Sequence, residues 1–141
     1  MRSLILATAL IVAGHRTGFA SATGSSTKGV VVAFYDVERM RERPDAQSSM
    51  ESFRYFLKPI EELVKRDFPD VEFHVMKRGD FLRLPDGTGL NIQNIQPILG
   101  YVFSERGKKR RILSGPQSDA DFACAASAFF GRHSPTCPIK K

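Results

Sequence analysis

The segment Gly29–Tyr35 reads GVVVAFY, a run without a charge in which β-branched and aromatic residues follow one glycine. A strand with one wet face alternates apolar and polar residues, whereas an unbroken apolar run suits a strand covered on both faces. Such a strand needs neighbours on either side and packed layers above and below, so the chain must build a sheet around it. The next periodic segment is helical. From Met50 onward, Phe53, Phe56, Leu57, Ile60, Leu63 and Val64 recur at helical spacing, with Glu51, Arg54, Lys58, Glu61, Glu62, Lys65 and Arg66 between them. Ser48 or Ser49 can cap this helix, Pro59 should kink it by removing an amide donor, and Phe68-Pro69-Asp70 ends it. Val71, Phe73 and Val75 then alternate with Glu72, His74 and Met76, which predicts a strand with one buried face. Strand, long helix and strand form a β-α-β unit, which requires parallel strands and a right-handed crossover.

The rest of the chain is less regular. Residues 36–49 are charged, contain Pro44 and read as a loop with room for a helical turn. Residues 77–94 hold a turn at Pro85-Asp86-Gly87-Thr88-Gly89, with a short helix at 80–84 as one option before it. Ile98 to Phe103 (ILGYVF) predicts a strand, residues 105–108 a hairpin connection, and Arg110 to Leu113 a returning antiparallel strand. Ser118 can cap a last helix whose face is Phe122, Ala125, Ala126 and Phe129, and Gly131 is a natural stop for it. The order β-α-β, irregular link, β-hairpin, α predicts an α/β domain with a mixed sheet and helices on both of its faces.

Before the first strand, Arg2, the uncharged stretch from Leu4 to Gly14 and Ala20-Ser21-Ala22 have the three-part pattern of a secretory signal peptide. The expected organisation is a signal peptide at 1–22, a flexible leader at 23–28, one domain at 29–131 and a C-terminal tail at 132–141. The 141 residues suffice for one such domain, and no window supplies the 18 or more apolar residues of a membrane span. Removal of 1–22 would lower the net charge from +6 to +4, a modest excess that does not in itself point to nucleic acid. The expected location is periplasmic or secreted. Export would place Cys124 and Cys137 where a disulfide can persist.

Between residues 29 and 131 the chain resembles the thioredoxin-like family. Val30 to Tyr35, Phe53 to Val64 and Val71 to Met76 look like its opening β-α-β half, and Ile95-Gln96-Pro97-Ile98-Leu99, the strand through Phe103, Gly107 and Gly115 like its closing half. The resemblance implies a thioredoxin-like mixed sheet flanked by helices, with a cis proline at Pro97 beside the start of the long helix. In redox-active relatives that helix opens with Cys-x-x-Cys, where this chain has Met50-Glu51-Ser52-Phe53. Dithiol exchange needs an attacking thiolate and a second thiol to resolve the mixed disulfide, and neither Met50 nor Phe53 supplies one. The loop at 36–49 is also longer than the family's, and the segment around Gly87 and Gly89 replaces much of its second helix.

Three sets of residues remain as candidates for function. Gln96 and Pro97 could frame a groove for an extended peptide, or Pro97 could simply shape the turn into its strand. Cys124 and Cys137, 13 positions apart, could join the last helix to the tail or serve an atypical thiol-disulfide exchange. Arg106, Lys108, Lys109, Arg110 and Arg111 could bind an anionic membrane surface or guard a strand edge; no aromatic stacking pattern accompanies them, so nucleic acid is not expected. Beyond residue 22 the only histidines, His74 and His133, lack the spacing of a metal or Ser-His-Asp site, and 86–89 lacks the lysine-hydroxyl ending of a phosphate loop. No cofactor is expected. The leading expectation is an exported, noncatalytic thioredoxin-like module that binds an extended peptide or exported protein or plays a structural role. An atypical oxidoreductase and a basic adaptor are the alternatives.

Overall fold

A computed structural model describes residues 29–139. Among these described residues, six strands and three α-helices follow in the order β1 (Gly29–Tyr35), α1 (Val37–Arg41), α2 (Gln47–Asp67), β2 (Val71–Met76), β3 (Leu82–Arg83), β4 (Gly89–Leu90), β5 (Leu99–Glu105), β6 (Arg111–Ser114) and α3 (Asp119–Phe130). Short 3-10 turns at Pro44–Ala46 and Ile92–Asn94 complete the connections. The main sheet has the order β2-β1-β5-β6, with β1 parallel to β2 and antiparallel to β5, and β6 antiparallel to β5. This is a mixed α/β sheet packed with helices, thioredoxin-like in its strand order and directions.

The apolar run of β1 divides between two cores because successive side chains point to opposite faces. Val31 and Ala33 join Tyr101 and Phe103 of β5 beneath both long helices, which contribute Phe53, Ile60, Leu63 and Val64 from α2 and Phe122, Ala123, Ala126 and Phe130 from α3. Val30, Val32 and Phe34 join Val102 and Met76 on the other face. There the cover is Leu84, Leu90, Ile92 and Ile95, from the β3–β4 hairpin and the turn after it. The expectation of helices on both faces is thus corrected: α2 and α3 share one face. The turn-forming sequence at 85–89 cannot continue a helix, but it closes a small hairpin whose apolar ends reach the sheet. The option of a helix at 80–84 fails for the same reason, since Leu82 and Arg83 pair with Leu90 and Gly89.

Two covered faces also change the reading of β2. Met76 is buried in the second core, while Val75 is 45% exposed, so burial along this strand does not follow simple alternation. Helix α2 continues through Pro59. The proline leaves the Tyr55 carbonyl without its amide donor, and Tyr55 is itself exposed to water. In the region read as a loop, α1 forms because Asp36 caps it, accepting the Arg39 amide at 3.3 Å. Strand β5 extends two residues beyond Phe103, and Gly100 lies so close to β6 that a Cβ there would stand 2.0 Å from the Leu113 carbonyl oxygen.

The last helix matches its sequence signals. Ser118 accepts the Asp121 amide at its start, and Gly131 ends it in the left-handed conformation at φ 67°. A side chain at 131 would meet no neighbour, so the conformation alone sets the penalty. Gly131→Ala is expected to lower the unfolding free energy by about 1 kcal/mol with no change of fold, measurable by urea denaturation.

Candidate functional site

The structure assembles its candidate site at the carboxyl end of β1. Asp36 follows that strand directly, and its side chain is fully buried. Two arginines converge on it: Arg39 Nε donates to Oδ2 at 2.8 Å, while Arg78, from the turn after β2, donates from Nε to Oδ1 at 3.1 Å and from Nη2 to Oδ2 at 3.0 Å. Arg78 also lies 3.2 Å from Glu38. Burial alone would raise the Asp36 pKa, but the hydrogen bonds from Arg78 and then Arg39 outweigh it and hold the carboxyl below its usual range. The result is a carboxylate, ionised at neutral pH, that clamps two guanidinium groups.

Arg39 uses its remaining donors on the chain around Pro97. Its Nη1 donates to the carbonyls of Ile95 at 2.9 Å and Gln96 at 3.2 Å, and its Nη2 to those of Ile92 at 3.3 Å and Pro97 at 3.2 Å. The Asp36 amide adds a bond to the Ile98 carbonyl at 2.8 Å. One side chain therefore collects four carbonyls that point inward from a single bend. This replaces the device expected from the resemblance: among the described residues there is no cis peptide bond, so Pro97 is trans and Arg39 fixes the turn instead.

Beside that bend lies an open groove of about 250 Å³. Gln96, Pro97, Ile98 and Leu99 form one wall, and Arg43, Asp45, Ala46 and Ser49, from the approach to α2 and its first turn, form the other. Ser114 and Gly115 close one end. Gln96 and Pro97 thus line the same groove as the approach to the long helix and its first turn. Met50 and Phe53, by contrast, are buried core residues that pack into the hydrophobic interior.

Cys124 and Cys137 form a disulfide between α3 and the tail. Polar contacts fasten the same tail to α3 and to the end of α2 with the residues after it. Ser134 is buried and donates to Asp67 at 2.6 Å, its amide donates to the Ser127 hydroxyl at 2.9 Å, and Arg132 forms a paired contact with Asp70. The hydrogen bond from Arg66, outweighing burial, holds the Asp67 pKa below its usual range, with Ser134 assisting. The two cysteines therefore join two segments of structure and do not form the adjacent pair of a dithiol catalyst.

The basic run does not assemble into one patch. Lys108 donates to the Phe129 carbonyl at 2.7 Å, pairs with Glu105 at 2.6 Å and lies over the Phe129 ring, where it complements the C-terminal end of α3. Arg110 turns instead to Thr88 and Asp86 of the small hairpin. Arg106, Lys109 and Arg111 stay exposed. Elsewhere, His74 lies 3.0 Å from Glu72 and His133 is exposed. Among the described residues no cluster of histidine, cysteine, aspartate or glutamate could hold a metal ion, and no helix is long and apolar enough to cross a membrane. The Tyr101 hydroxyl is buried without a hydrogen-bond partner among those residues; burial, and secondarily Asp119, raises its pKa, so it stays protonated and a poor nucleophile.

Sequence reasoning missed Asp36, Arg39 and Arg78 as a unit. Asp36 at the end of a strand and three positions before Arg39 carried a capping signal, but nothing local showed that Arg78 would meet the same carboxylate. No family model matches the chain, and neither a curated protein nor a solved structure gives a significant match.

Proposed function

We propose that this chain is an exported, noncatalytic thioredoxin-like module that binds an extended peptide segment of another protein in the groove between Gln96-Pro97 and the start of α2. The observation that carries the proposal is the groove itself, with a rigid main-chain wall opposite a short wall bearing Arg43, Asp45 and Ser49. Groups of both charges and a hydroxyl suit a peptide backbone and its polar side chains better than a purely apolar ligand. Arg39 keeps that wall in place without a ligand, which reduces the ordering cost of binding. The chain reads as a divergent relative in which the dithiol positions have become core, leaving the groove without redox chemistry. Export rests on the features of residues 1–22, which lie outside the described residues, and on a disulfide of the kind an oxidising compartment permits.

The test is selection of binders from a display library of random linear peptides, followed by affinity measurement. Ser49 is half-buried on the groove wall, and Ser49→Trp would fill the space without touching the arginine cluster. The expected result is peptides whose affinity falls about tenfold or more in that variant while its circular dichroism and melting are unchanged. Selected peptides that bind both forms equally, or a library that yields no binder, would overturn the proposal.

A further inference from the structure

Helix α1 and the first two turns of α2 line another open cavity, of about 240 Å³, which shares no residue with the peptide groove. Its apolar lining is Val37 and Met40 from α1 and Met50 from α2. Met50 belongs to the core beneath the helices and Met40 packs against that core, so the floor of the cavity is continuous with the hydrophobic interior. Val37 is 39% exposed. Arg41 and Arg54 also line the cavity, and both are exposed to water. Neighbouring Arg39, Arg43 and Arg78 are each engaged by a carboxylate, whereas Arg41 and Arg54 enter no ion pair among the described residues. Glu51 is the one carboxylate among the described lining residues, so two guanidinium groups outnumber it and the local balance is positive.

We propose that this cavity binds a free carboxylic acid with an unbranched apolar tail of medium length, its carboxylate held by Arg41 and Arg54 and its tail against Val37, Met40 and Met50. Guanidinium groups present paired N–H donors that match the two oxygens of a carboxylate. Methionine is unbranched and has three rotatable bonds, so a floor with two of them adapts to a flexible alkyl chain. A neutral apolar ligand gains nothing from the arginines, and a small inorganic anion gains nothing from the methionines. Only a molecule with both parts uses the whole lining. The volume lies below the roughly 300 Å³ at which sites for drug-sized ligands begin, which limits the tail to medium length. The position fits the sheet as well. Open α/β sheets place ligands outside the carboxyl ends of their strands, and α1 follows β1 after the single residue Asp36.

Isothermal titration calorimetry of the purified protein with octanoate, kept below its micelle-forming concentration, tests this. One equivalent is expected to bind. Octanol, which lacks the charge, and acetate, which lacks the tail, should each bind about tenfold more weakly or worse. N-acetylleucine, which mimics the C-terminus of an apolar peptide, should also bind less tightly than octanoate. Arg41→Gln combined with Arg54→Gln should weaken octanoate about tenfold or more with the circular dichroism unchanged, since neither side chain has an ion pair to lose. In nuclear magnetic resonance, octanoate should shift the amide signals of Val37, Arg41 and Arg54. No binding of octanoate, octanol that binds as tightly, N-acetylleucine that binds more tightly, a double variant that binds like the wild type, or amide shifts confined to residues 96–99 would overturn the proposal.

Discussion

Asp36→Ala is expected to lower the unfolding free energy by about 3 kcal/mol, because it leaves two guanidinium groups facing a buried gap. That is the lower end for breaking a buried ion pair. Arg39 and Arg78 keep 28% and 32% of their side-chain surface exposed, so water recovers part of the lost interaction. The damage should spread to the groove, since Arg39 holds the 92–97 bend only while Asp36 fixes its orientation. Asp36→Asn retains an oxygen that can cap α1 and removes only the charge, so its loss should be smaller. The two proteins should also differ in acid. A carboxyl whose folded pKa is depressed contributes stability that is complete above its unfolded pKa, near 4, and is lost as the pH falls through the folded value. The stability gap between wild type and Asp36→Asn should therefore be constant near neutrality and shrink progressively below about pH 4. Urea unfolding of both at several pH values checks this, and a gap that widens with acid would contradict the assignment.

What the sequence disclosed depends on how far each interaction reaches along the chain. The β1-α2-β2 unit was legible because periodicity and turn residues act within a few positions, and α3 was legible from Ser118 and Gly131 for the same reason. The cover of the second face was not. Leu84, Leu90, Ile92 and Ile95 lie in a segment too broken to show a period, and only the sheet beneath reveals that they form one surface. The cis bond that the resemblance implies at Pro97 is absent on the same ground. A turn can be fixed by its own peptide geometry or by a distant side chain, and Arg39 reaches it from 58 positions away. The basic run looked like a patch in one dimension, but Lys108 and Arg110 take different partners, one at the end of α3 and the other in the small hairpin.

Replacing Cys124 and Cys137 together with serine is expected to cost about 3 kcal/mol, the loop-closure value for a cross-link spanning 13 positions. The bond limits the freedom of the unfolded chain, so most of the effect should appear there and little as a change in the folded tail. The folded tail has other ties. Ser134 remains bonded to Asp67 and Ser127, and Arg132 to Asp70, so the variant should keep its fold and its tail should stay docked at neutral pH. A tail held only by the disulfide would instead detach, and its amide protons from 132 to 137 would exchange freely with solvent. Urea unfolding combined with hydrogen exchange separates these outcomes. The same protein distinguishes structure from redox chemistry. The wild type, before and after reduction, should give no turnover in an insulin-disulfide reduction assay, because the two sulfurs form a structural cross-link between a helix and a tail that other contacts also dock, and not a Cys-x-x-Cys pair. Nonreducing peptide mapping should recover Cys124 and Cys137 in one linked fragment. Two reactive thiols in the folded, oxidised protein would rule out the cross-link, and turnover lost in the serine variant would make these cysteines a catalytic pair and remove the argument for a noncatalytic module.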